Sequence, residues 1–129
     1  MSREPKVLIR NRSDTNGKPM DEELKKTEER LFDMFRKLGV DERDIARVAL
    51  DRKDAFWMAD KCRPEALTHL SFINIALTEI EDSLWEKTKA EKIRYDDWRT
   101  ATLEAIRYRR MVEEKLARKL EGCGCRWIE

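Results

Sequence analysis

The sequence predicts an all-α fold: an antiparallel four-helix bundle preceded by a short N-terminal arm. Three observations carry that expectation. Apolar residues recur every three or four positions through four stretches, the spacing of helices that each bury one face. Only four glycines and three prolines punctuate 129 residues, too few for a turn-rich all-β fold. The hydrophobic share of 40% suffices for one core, and the length suits one domain.

Residues 1–18 read as a flexible basic arm, in which Arg3, Lys6, Arg10, Arg12 and Lys18 outnumber Glu4 and Asp14. Val7-Leu8-Ile9 is its only stretch able to pack. The helical bundle is expected over 19–121. Its first helix opens at Pro19, a favoured first helical position, with Asp21, Glu22 and Glu23 complementing the positive end of the dipole. Leu24, Thr27, Leu31, Met34, Phe35 and Leu38 form its stripe, and Gly39 stops it.

The second helix takes Asp41 as N-cap and runs to about Cys62, burying Ile45, Val48, Ala49, Ala55, Phe56 and Ala59. Arg52 falls inside that stripe. Leu50 and Trp57 point to another side, which predicts contact with more than one neighbour. Pro64 ends this helix and opens the third, whose Ala66, Leu70, Ile73, Leu77, Ile80 and Leu84 alternate steps of four and three. Phe72 and Ile75 fall outside the stripe, so the third helix is expected to be the most buried.

The fourth helix follows with Trp98, Thr102, Ala105, Arg109, Val112, Leu116 and Leu120, and Gly122 ends it. No glycine or proline separates the third helix from the fourth. One continuous helix would be roughly 85 Å long and would need a partner chain, giving a dimeric helical hairpin as the alternative. Glu86 to Lys92 is almost devoid of apolar residues and Asp96-Asp97 is a start signal, so a break at 90–96 is expected. Residues 122–129 form a cysteine-containing tail.

Charge excludes some roles. Lysine and arginine total 28 against 27 acidic residues, a net charge of +1, unlike a protein that coats nucleic acid or an acidic membrane. The longest apolar run, Ala55 to Ala59, is far short of a membrane span, and no secretory core follows Met1. Three cysteines fit a reducing compartment, so a soluble cytoplasmic protein is expected. Glutamine is absent, and dense charge without it leans towards a thermophile's composition.

The sharpest constellation is metal-like. His69 is the only histidine, and Cys62, Cys123 and Cys125 are the only cysteines. In an up-down-up-down bundle all four fall near one pole, where zinc finds a tetrahedral three-cysteine, one-histidine set. Against this stand two plainer readings. In one, Cys62 is a small core residue, His69 a flank and the tail pair loose; in the other, a disulfide joins Cys62 to one tail cysteine.

Arg109 occupies a stripe position, as Arg52 does, and must reach solvent, pair with a carboxylate or face a partner. Arg107, Arg109 and Arg110 around Tyr108 offer a basic docking patch, or a solvated salt-bridged face. Trp57, Trp85 and Trp98 are candidate interface anchors, with core packing as the plainer alternative. Leu38-Gly39-Val40 with Ile45 and Val48 has helix-turn-helix spacing over 31–62, although Asp41, Glu42 and Asp44 would meet phosphates with negative charge. Glu79-x-x-Asp82 with Glu86 resembles the acidic helix of all-α nucleotide pyrophosphohydrolases. That resemblance implies magnesium, but the carboxylates lie on a solvated side without a matching second pair. The expected function is therefore a small non-enzymatic helical module that regulates a larger complex by binding another protein or a second copy of itself. A nucleic-acid-binding regulator and a magnesium-dependent pyrophosphohydrolase are the alternatives.

Overall fold

The computed structural model describes residues 17–124, with side chains from position 22 onward. Four helices pack into one bundle: α1 (Gly17–Lys37), α2 (Glu42–Asp60), α3 (Ala66–Lys89) and α4 (Tyr95–Gly122). The arm before position 17, Cys125 and Trp127 lie outside the described residues. The third and fourth helices are separate, with the turn inside the expected interval. No described helix is long and apolar enough to cross a membrane.

The helices start and stop for identifiable reasons. Asp41 has extended backbone angles, and its side chain accepts a hydrogen bond from the Arg43 N–H at 2.8 Å, the N-cap the sequence predicts. That bond holds the Asp41 carboxyl below its ordinary range. At the end of α1 the Val40 N–H donates to Phe35 O and the Gly39 N–H to Arg36 O, with Gly39 at φ 85°. α2 and α3 close with the same paired bonds, yet Cys62 and Glu91 fill the left-handed position there, at φ 59° and 61°.

α1 lies along α4 and α2 along α3; α3 and α2 both also touch α4, while α1 and α2 touch least. The core is a continuous cluster through Leu31, Phe35, Ile45, Val48, Ile73, Leu77, Leu84, Val112, Leu116 and Leu120. Each such side chain contributes about 1.5–3 kcal/mol on leaving water. Tyr108 is the largest fully buried side chain. It sits on a register of α4 with Ala101, Ala105 and Val112, beside the stripe that passes through Arg109.

α2 does contact more than one neighbour, as expected, but not through Leu50 and Trp57; and Phe72 and Ile75 do not add burial to α3. These four side chains are 60%, 54%, 44% and 49% exposed, respectively. α2 contacts three helices through its small face, Ala55 and Ala59 among it, rather than through its large outward residues. Four helices around one core leave nothing to lay over the ridge opposite each core face.

Candidate functional site

Exposed large apolar side chains stand on α2 and α3 (Leu50, Trp57, Phe72 and Ile75) and on α4 (Leu103 and Ile106, 52% and 43% exposed). Leu50 and Trp57 lie two turns apart on α2, and Phe72 and Ile75 lie one turn apart on α3. Two cross-helix contacts set the register between them. Arg47 Nη1 donates to Glu79 Oε1 at 3.1 Å, and Asp51 Oδ1 stands 3.6 Å from His69 Nδ1. The His69 ring meets Phe72 edge-on at 5.7 Å, and Lys61 lies 5.6 Å over the Trp57 ring. Exposed apolar side chains and charged groups thus alternate on this side of the two helices.

The other two candidate tryptophans stand at the α3–α4 turn. Trp85 and Trp98 pack with tilted rings at 4.7 Å between centroids, and Tyr95 likewise at 5.5 Å from Trp98. Trp98 is half-buried against the core and its Nε1 is buried without a hydrogen-bond partner, whereas Trp85 is 38% exposed. Mutual packing accounts for most of this cluster.

The stripe arginines are paired with carboxylates. Arg109 sends two parallel bonds, 3.0 and 3.1 Å, to Glu81 on α3. Arg52 does the same to Glu28 on α1 at 2.9 and 2.8 Å, and the Tyr108 hydroxyl donates to the same carboxylate at 2.5 Å. Hydrogen bonding to Glu28 raises the Arg52 pKa against the opposing effect of burial. Burial, reinforced by the Glu28 charge, pushes the Tyr108 hydroxyl well above its ordinary value. Arg107 reaches Glu23 at 4.0 Å, and Arg110 is exposed. The three arginines thus face different surroundings, two of them with carboxylates.

A cleft of about 370 Å³ opens above the Glu28–Arg52 pair, lined also by Lys25, Phe56, Asp60 and Lys119. Arg52 and Lys119 each lie 5.5 Å from the Phe56 ring, and Lys119 Nζ bonds Asp60 at 2.6 Å. The cleft's charges are largely satisfied internally, so it presents little net field to a ligand.

Among the described residues, Cys62, Cys123 and His69 do not form one ligand cluster. Cys62 and Cys123 are joined as a disulfide with Cα atoms 5.6 Å apart, the second of the two plainer readings. The shared pole is therefore real, and α2 and α4 are tied at it. Two sulfurs bonded to each other are not thiolate ligands; zinc on Cys62 and Cys123 requires their reduction. His69 instead faces α2, where its imidazole and the carboxylates of Asp51 and Asp54 offer ligand atoms all within 4.8 Å of one another. Neither aspartate was singled out from sequence; the signal available was their i, i+3 spacing on one helix.

Of the acidic set on α3, Glu79 is taken by Arg47, Glu86 pairs with Lys89 at 3.0 Å, and Asp82 is exposed. In the helix-turn-helix-like segment, Phe35 is fully buried, Glu42 holds Arg36 at 2.7 Å, and Asp44 is exposed at the start of α2. No family model, no curated protein and no solved structure matches this chain.

Proposed function

We propose that the protein is a small non-enzymatic interaction module, which docks another protein on the outer face of α2 and α3 and thereby regulates a larger complex. The observation that carries this reading is the outward set Leu50, Trp57, Phe72 and Ile75, gathered on one helix pair while the core is complete without them. Tryptophan and large aliphatic side chains in such a patch gain far more from covering than charged neighbours do. The near-zero net charge of +1 favours a protein partner over a polyanion. Its setting is the cytoplasm. A glutamine-free, charge-dense composition leans towards a thermophile's, and the cytoplasm of a hyperthermophile is a setting in which disulfides such as Cys62–Cys123 persist.

The test is capture from the native host with three baits: the wild type, a Leu50→Glu/Ile75→Glu variant and a Leu103→Glu/Ile106→Glu variant on α4. A partner held by the wild type and the α4 variant, in moderate salt, and lost by the α2–α3 variant supports the proposal. Equal capture by all three refutes it. Nuclease-sensitive material whose retention falls steeply with salt would instead favour the nucleic-acid alternative.

A further inference from the structure

We infer that Asp51, Asp54 and His69 form a binding site for one first-row divalent transition-metal ion, with zinc the best fit. This site is separate from the cysteines. Asp51 and Asp54 lie one turn apart on the side of α2 that faces α3, and His69 reaches them from the second turn of α3. Their ligand atoms all lie within 4.8 Å of one another. The Asp51 Oδ1 to His69 Nδ1 separation is 3.6 Å. Two ligands of one tetrahedral ion with bonds near 2.1 Å stand about 3.4 Å apart.

Two further features point to a cation. The first is the state of His69 Nδ1, which is buried from solvent and has no hydrogen-bond partner. At 3.6 Å the Asp51 oxygen is too distant for a hydrogen bond, so the nitrogen makes none, although it stands within ion-pair range of that carboxylate. The second is the charge balance. The other carboxylates less than a fifth exposed, Glu28, Glu81 and Glu104, each hold an arginine. Asp51, only 16% exposed, and half-buried Asp54 have no lysine or arginine among the described residues, and the basic group against Asp51 is the His69 imidazole, which is cationic only when protonated. One imidazolium leaves two neighbouring carboxylates with a net negative charge, which a divalent cation between them would offset.

The donor set selects the ion. One imidazole with two carboxylates suits zinc, cobalt or manganese, whereas magnesium and calcium prefer oxygen alone. Three protein ligands leave at least one position for water. Phe72, packed edge-on against the imidazole at 5.7 Å, fixes the ring plane. Metal here would clamp α2 to α3 beside Phe72.

The experiment is calorimetric titration of zinc into the chelator-treated, disulfide-intact full chain, repeated with cobalt and read by visible absorption. Wild type is compared with His69→Gln, Asp54→Asn and Cys125→Ser, the last removing the tail thiol. One equivalent is expected to bind wild type and Cys125→Ser alike. Affinity should fall about tenfold or more in the other two variants, whose helicity is checked by circular dichroism. Cobalt should give the spectrum of nitrogen and oxygen ligands without a thiolate charge-transfer band. Absence of binding, or binding kept in His69→Gln and lost in Cys125→Ser, overturns the inference; the second outcome would put the metal on the tail cysteine.

Discussion

Glu28 has two hydrogen-bonding partners, which makes Tyr108 and Arg52 the most sensitive polar residues in the molecule. Removing the hydroxyl with Tyr108→Phe leaves the carboxylate with one partner fewer, at about 1.5–3 kcal/mol for a bond to a charged acceptor. Urea denaturation at neutral pH measures that loss. The same residue sets the alkaline limit. Its pKa in the folded state lies above the unfolded value of 10, so folding favours the protonated hydroxyl. That contribution is complete below pH 10 and is lost as pH rises through the folded value. Stability should therefore drop above pH 10 in the wild type, and less steeply in Tyr108→Phe. Arg52 and Arg109 were legible as anomalies, because a charge in an apolar stripe demands a partner. The partners were not legible: Glu28 and Glu81 lie on other helices, and only the packing brings them opposite. Tyr108 was left out of the expected stripe, which passes through Arg109, although its spacing from Ala101, Ala105 and Val112 marks the buried register.

Helix ends show where local chemistry can be read and where it is overridden. Gly39 and Asp41 announced the α1–α2 turn, since each residue type suits its backbone angles or cap. The α3–α4 turn was marked only by its apolar-poor stretch and Asp96-Asp97, with no glycine stop, because Glu91 occupies the left-handed position that glycine normally fills. The paired bonds Glu91 N to Thr88 O and Lys92 N to Lys87 O hold it there. Glu91→Gly should remove that strain and, after allowing for the added freedom of the unfolded chain, raise stability by about 0.5–1 kcal/mol. An unchanged or lower thermal midpoint would mean that the Glu91 side chain contributes more than its backbone costs. The exposed positions of Leu50, Trp57, Phe72 and Ile75 have a similar cause. Periodicity identified them as outside the stripes, but whether a second layer covers such residues is a property of the whole fold.

At the scale of the molecule, the disulfide and the outer α2–α3 face dominate. Cys62 and Cys123 close a loop of 61 residues, and cross-linking one of that length restricts the unfolded chain by about 4 kcal/mol. Cys123→Ser, or reduction of the wild type, should lower the thermal midpoint, and reduction should have no further effect on the variant. The common pole that allows this bond was readable from topology alone, whereas the choice between metal and disulfide needed the positions of the sulfurs. The apolar face is tested most directly by photo-crosslinking in the native host, with a photoreactive residue placed at position 50, 75, 103 or 106. Adducts of one discrete mass from positions 50 and 75, with none from 103 and 106, are expected. Adducts confined to the α4 positions, or none from position 50 or 75, would contradict docking on α2 and α3.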